Sequence, residues 1–182
     1  MHILTKKDAA NKSAIFPFIG GSEVNTSPSH SPHRFAINFF DRDEDHCRKN
    51  WPDLVHILEK KVRPERLTKA KDVAAFPWWL HWRMRPKLHS AASKVDRVIV
   101  ASRHQPNWQI TFMEKGYIFS DALVVFTLDT YADFAILQSS IHEYWARTFG
   151  SSIKDDMRYT PTDCFETFPF PIANKKTEYL RQ

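Results

Sequence analysis

Glycine is scarce in this chain: four residues in 182, none in a GxG arrangement. That excludes the glycine-rich loops through which nucleotide- and methyl-donor-binding folds approach a phosphate or cofactor, and a P-loop is absent as well. An adenine methyltransferase also needs a loop of the Asn-Pro-Pro-Tyr/Phe kind, whose amide and proline carbonyl bind the target amine. The nearest neighbour here is Pro106-Asn107, in the wrong order, so a methyltransferase core is absent. Cysteine is rarer still. Cys47 and Cys164 stand far apart with no CxxC, which argues against a disulfide framework or a zinc finger. Both are expected reduced, as suits a cytoplasmic protein. No run of about 18 apolar residues exists, so no membrane span is predicted, and the first residues lack the apolar stretch of a signal peptide. The nine histidines form neither HxxxH nor HExxH, so no metal site is expected. There is no GxSxG elbow. No catalytic residue is assigned.

What is present supports a folded chain. Hydrophobic residues make up 42% and aromatics 14%, and the net charge of +5 favours an anionic partner. Residues 1–33 read as an irregular polar arm around the apolar patch Ile15 to Ile19, and residues 34–40 as a strand. Leu54, Leu58 and Val62 recur at i, i+4 and i+8 over 53–62. That spacing predicts an amphipathic helix entered at Pro52, interrupted near Pro64 and continued to Ala75. Pro77 and Pro86 bracket a short helix holding Trp78, Trp79 and Trp82. Residues 95–128 look β-rich, with a turn at Glu114-Lys115-Gly116. Residues 131–149 predict one helix with Phe134, Leu137, Ile141, Trp145 and Thr148 on a face, capped by Asp129 or Thr130 and ended by Gly150. The stretch 151–171 reads as a loop packing back on the core, and 172–182 as a tail. The fold class expected is α+β: one domain over 1–182, its core at 34–171, with a small mixed or antiparallel sheet flanked by helices.

One catalytic pattern fits by its letters. Pro52-Asp53 followed by Glu59-Lys60-Lys61 spells a metal-nuclease motif that would use Asp53, Glu59 and Lys61. Those carboxylates normally converge from neighbouring strands. Six residues apart on one helix, Asp53 and Glu59 point to different faces, and a solvated helix face is the better reading.

The segment 139–171 carries an H-x-x-W-x-R pattern (His142, Trp145, Arg147), a short polar loop, the step Arg158-Tyr159-Thr160 and an aromatic-proline close from Phe165 to Pro171. In this order and spacing it resembles the C-terminal part of the target-recognition domain of type IIL (MmeI-like) restriction–modification enzymes. The runs FPFIGGSEVN, RFAINF, EKKVRPER, Trp78-Trp79 and residues 96–126 look like further parts of that domain, so the resemblance spans roughly residues 4–171. In such enzymes one polypeptide joins an endonuclease, an adenine-N6 methyltransferase and this domain. The resemblance implies a double-stranded DNA recognition module without catalytic machinery. It would take no cofactor itself, S-adenosylmethionine and magnesium belonging to the missing catalytic domains. Its partners would be DNA and the methyltransferase and endonuclease domains or subunit.

Sequence is read at base edges, while phosphates position the protein. Lys154 can donate to guanine O6/N7 and Asp156 can accept from cytosine N4, so together they suit one G·C pair; they equally suit a solvated charged loop. By resemblance these two positions vary with the base recognised. The polar turn of Ser102, Arg103, His104, Gln105 and Asn107, flanked by strands, is placed to project into a major groove. The resemblance adds base contacts there and at Asp121, which otherwise reads as an edge-strand carboxylate. Phosphate contacts are expected from Arg147, Arg158 and Tyr159, helped by Lys115 or the Trp82-Arg83-Met84-Arg85 patch. Trp78, Trp79, Trp145, Phe165 and Phe168 are expected in the core. A different function class, a subunit or decoy docking on a methyltransferase partner, would use the basic surface and an exposed stretch at 78–82.

Overall fold

The computed structural model of the chain describes residues 2–153 and 156–171. The elements run α1 (His2–Lys7), β1 (Ile15–Ile19), α2 (Gly21–Thr26), β2 (Arg34–Ile37), α3 (Glu44–Asn50), α4 (Pro52–Leu67), α5 (Lys71–Ala75) and α6 (Pro86–Ser93). There follow β3 (Arg97–Ser102), β4 (His104–Gln105), β5 (Ile110–Glu114), β6 (Ile118–Phe119) and β7 (Leu123–Phe126). The chain closes with α7 (Tyr131–Gln138), α8 (Ser140–Phe149), β8 (Ser151–Ile153), β9 (Asp156–Arg158) and α9 (Pro161–Cys164). The class is α+β. The stretch 1–33 is not an irregular arm: it holds two helices, a 3₁₀ turn and a strand. No helix among the described residues is long and apolar enough to cross a membrane.

The residues group into two compact units, one from 1–18 and 33–89, the other from 19–32 and 90–182. In the first, β1 and β2 pair antiparallel with Ile15 opposite Ile37. Phe39, Cys47, Trp51, Leu54, Val55 and Leu80 form the centre of its core. The Trp51 ring stacks on Phe39 at 5.4 Å, and its indole N–H donates to the Ala10 carbonyl at 2.9 Å, so a large buried ring keeps its donor satisfied. Asp43 caps α3 by accepting from the His46 amide at 2.8 Å, and Pro52 opens α4, where a missing N–H costs nothing. α4 runs through Pro64 to Leu67 instead of breaking there. Pro64 stands in the last turn, where the helix is about to end in any case. Residues 77–85 form turns, not the expected helix, and α6 begins at Pro86. Trp78 and Trp79 are half-buried, pack against this core and offer less exposed surface than a docking stretch requires; only Trp82 is exposed, at 39%.

The acidic residues of α4 are engaged by cations. Asp53 pairs with Lys7 at 2.5 Å. Glu59 lies 3.0 Å from both Arg48 and Arg63, whose guanidinium groups stand over the Trp78 ring at 5.8 and 5.4 Å. The hydrogen bond from Arg48 holds the Glu59 carboxyl below its usual range. That arrangement is an ion-pair network on a helix face.

The second unit is built on the antiparallel sheet β5-β3-β7. Its central strand reads Arg97-Val-Ile-Val-Ala-Ser102, and the period of two distributes that run between two cores. Val98 and Val100 pack with Ile19, Met113 and Leu123. Ile99 and Ala101 pack with Trp108, Phe126, Leu137 and Tyr159. A strand buried on both faces is apolar without alternation, which is why this run is continuous. Gly116, at φ +90°, makes the predicted turn after β5.

The expected single helix over 131–149 is two helices. Ser139 is extended (ψ 150°) and caps α8, its Oγ accepting from the His142 amide at 3.2 Å; Thr130 caps α7 in the same way at 3.0 Å. Serine hydroxyls compete for backbone bonds and favour such breaks. The break shifts the phase of the apolar face. Ile141 turns out to 71% exposure, while His142 and Ala146 turn in.

Candidate nucleic-acid interface

Two polar segments singled out in the sequence lie about fifty residues apart in the chain and meet in one sheet, made of His104–Gln105, Ser151–Ile153 and Asp156–Arg158. Its order is β4-β9-β8. His104 stands opposite Arg158 and Gln105 opposite Met157, while Ser151 flanks Arg158 on the far side. Residues directly opposite in an antiparallel ladder share a face. His104, Arg158 and Ser151 are exposed; Gln105 and Met157 are buried. The small sheet thus presents a polar outer row and anchors its inner row in the core. Ser151–Ile153 and Asp156–Arg158 are a strand pair, not the loop expected.

The 120–122 turn joins the same surface through Arg103. Its amide donates to the Ala122 carbonyl at 2.8 Å, its Nε donates to the Asp121 carbonyl at 3.1 Å, and its own carbonyl accepts from the Tyr159 amide at 2.9 Å. Arg103 therefore ties all three segments together. Asp121 and Asn107 are exposed in the chain's polar turns.

Three of the expected DNA contacts lie in the interior instead. Ser102 is 4% exposed; its Oγ donates to the His104 carbonyl at 3.1 Å and accepts from the Asn25 amide at 3.3 Å. Gln105, also 4% exposed, accepts from the Gln109 amide at 3.3 Å through its side-chain carbonyl. Tyr159 is fully buried: its ring stacks on Trp108 at 4.6 Å and its hydroxyl meets His142 Nε2 at 3.0 Å. Groups sealed in this way shape the turn from beneath and reach no phosphate or base edge. Burial pushes the Tyr159 phenol up from its usual range and the His142 imidazole down to about 4, so the pair is a neutral hydrogen bond.

Arg147 and Arg158 differ in their surroundings. Arg147, on α8, donates to Glu143 through Nε (3.0 Å) and Nη2 (2.8 Å) and to the Pro106 carbonyl at 2.9 Å. No ion pair among the described residues engages Arg158, which is exposed. Lys115 is exposed and donates to the Val95 carbonyl at 2.7 Å. Lys154 lies outside the described residues, and Asp156 occupies the first position of β9, opposite Ile153.

The H-x-x-W-x-R pattern now has a physical account. His142 goes to the core, Trp145 is half-buried and donates to Thr167 at 3.2 Å, and Arg147 reaches the 106 turn. The five aromatics expected inside are all buried or half-buried. The sequence reading missed Asn25 and α2. There Glu23, 2% exposed, accepts from the Gly20 amide at 2.9 Å, and Asn25 reaches Ser102. The Gly20-x-x-Glu23 spacing is a capping signal and marks a helix start in what looked like an arm. Both cysteines are buried and free, and burial, seconded by Asp43, pushes the Cys47 thiol up to about 11. No group of three or more metal-ligating side chains occurs among the described residues.

The chain matches the family described as MmeI, target recognition domain, over residues 1–172. Its fold is similar to a solved structure of the type IIL restriction–modification enzyme MmeI in complex with DNA. The TM-score is 0.68 at 20% sequence identity, and the match covers 97% of this chain. It spans 23% of that enzyme's chain. No curated protein matches the sequence. With the family matched from the first residue through the close of the aromatic-proline segment, this chain belongs to the MmeI target recognition domain family.

Proposed function

We propose that this chain reads the sequence of double-stranded DNA as the specificity module of a larger type IIL restriction–modification enzyme, in the cytoplasm, with chemistry supplied by other domains. The observation that carries the reading is the β4–β9 pairing. It brings His104 and Arg158 side by side on one exposed face, and Arg103 ties the 121–122 turn to the same segments. Base reading falls to His104, Asn107 and Asp121, with Arg103 at the edge of the turn and, by the family resemblance, Lys154 and Asp156. Arg158, exposed and unpaired among the described residues, suits a phosphate. The chain needs no cofactor of its own; S-adenosylmethionine and magnesium belong with the methyltransferase and endonuclease partners.

The test is fluorescence-anisotropy titration of the chain with a randomised duplex pool at two salt concentrations, followed by selection of the bound sequences. Salt-sensitive binding with an enriched sequence is the expected result. Salt-insensitive or absent binding at low salt removes the reading.

A second reading rests on a separate observation. Tyr131, Ile141, Tyr144 and Phe149 on α7 and α8 are each more than half exposed, a concentration of apolar surface that suits docking to another protein domain. Under that reading the chain is an interaction subunit or decoy. It would co-purify with a methyltransferase subunit and bind no DNA alone. A small nuclease using Asp53, Glu59 and Lys61 has little support, since Asp53 and Glu59 are held by Lys7, Arg48 and Arg63.

A further inference from the structure

We infer that Arg147 is a positioning residue for the DNA-facing turn, which it fixes to α8 by bridging Glu143 and the Pro106 carbonyl, and that it makes no phosphate contact; this rests on the recognition reading above.

Beneath the turn the Gln105 side chain holds the Gln109 amide at 3.3 Å, and the Pro106 carbonyl is held from α8 by Arg147. On one side Gln105 is locked by its pairing with Met157. On the other, Trp108 is locked by its indole N–H to the Leu137 carbonyl at 2.6 Å, and its carbonyl accepts from the Gln138 amide at 3.3 Å. Ile110 continues the docking, its amide donating to Gln138 at 3.2 Å. Between these anchors stand Pro106 and Asn107, both exposed. Pro106 has no N–H to give, so its carbonyl is its backbone handle, and Arg147 Nη2 holds that handle at 2.9 Å.

The electrostatics point the same way. Nε and Nη2 fork onto one Glu143 oxygen at 3.0 and 2.8 Å. The pair is net neutral and keeps a carboxylate beside any approaching phosphate, whereas Arg158 has no ion pair among the described residues. A guanidinium is suited to this work because its planar donors are fixed relative to one another. Held by a helix residue four positions away, Arg147 transmits the position of α8 to the turn that carries Asn107.

The experiment compares wild type, Arg147→Met and Arg147→Lys on the full chain with two readouts. The first is amide hydrogen exchange. Arg147→Met should speed exchange several-fold in the 104–109 stretch while leaving 97–101 and 131–137 unchanged, and Arg147→Lys, which keeps one donor, should restore part of the protection. The second is duplex binding. Arg147→Met should flatten the base preference at one position and leave the slope of log affinity against log salt unchanged. Unchanged exchange in 104–109 overturns the inference. So does acceleration across the whole chain, which would mark general destabilisation. A slope smaller by about 0.9, the signature of one lost phosphate contact, overturns it too. If wild type binds no duplex, the recognition reading falls, while the exchange readout still decides what Arg147 does.

Discussion

The phenol of Tyr159 meets Nε2 of His142 at 3.0 Å inside the second unit, with both residues fully buried. This bond joins the end of β9 to the first turn of α8, and the Tyr159 amide in turn holds the Arg103 carbonyl at 2.9 Å. The polar surface therefore stands on a buried polar contact. Tyr159→Phe keeps the stacking on Trp108 and removes only the hydroxyl. It leaves one imidazole nitrogen without its partner, while Nδ1 already has none among the described residues. The expected loss is about 1–3 kcal/mol of unfolding free energy, read from urea unfolding. A stability equal to wild type would show that the hydroxyl contributes nothing net.

The same histidine predicts a pH dependence. Burial depresses the His142 pKa from about 6.5 to about 4. The unfolded chain therefore binds this proton more readily between those values. Stability from keeping His142 neutral is complete above about pH 6.5 and is lost as pH falls toward 4. The full depression is on the order of 3 kcal/mol. His142→Gln can still accept from the Tyr159 hydroxyl but does not titrate. Its stability should fall less steeply than that of wild type between pH 6.5 and 4, the carboxylates contributing equally to both. Parallel stability–pH curves would refute the assignment.

Gly150 ends α8 at an ordinary φ of −74°, so its need is space, not backbone freedom. A Cβ there would lie 2.4 Å from the Ala146 carbonyl oxygen, 3.1 Å from Cys164 Sγ and 3.2 Å from the Arg158 carbonyl oxygen. Two of the three obstacles are backbone, and the helix end would have to move. Gly150→Ala should cost about 1–3 kcal/mol, the usual range for overpacking. Because Arg158 is among the displaced groups, duplex affinity should fall with it. A Gly150→Ala chain of wild-type melting temperature would contradict the close approach.

How much of this was legible in the sequence depends on the range of the interaction. A helix start at Asp129 or Thr130, Gly116 in a turn and the apolar run of β3 were readable because each is settled within a few residues. The break at Ser139 was not, since Phe134 and Ile141 continue a helical spacing and only a local serine cap overrides it. Residues 102–107 and 151–158 were both identifiable as polar candidates, but their pairing as His104 with Arg158 is a long-range register that no local pattern encodes. For the same reason Tyr159 read as a surface contact. Burial is decided by Trp108 and His142, which reach it from other parts of the chain.

Two of the exposed candidates, Arg158 and Asn107, should separate in their effects on DNA binding. A phosphate contact carries charge but no sequence information. Arg158→Ala should weaken binding to all duplexes about equally and reduce the salt slope by about 0.9. Asn107 carries no charge, and an asparagine amide can pair with adenine N6 and N7. Asn107→Ala should cost about 1–3 kcal/mol on the preferred duplex alone and leave the salt slope unchanged. Titrating both variants against the selected duplex and a randomised one, at several salt concentrations, gives both quantities. The opposite pattern, with Asn107 setting the slope and Arg158 the preference, would mean that the polar outer row meets DNA by the other edge. The β4–β9 sheet would then insert Arg158 into the groove and leave the 106–107 turn on the backbone.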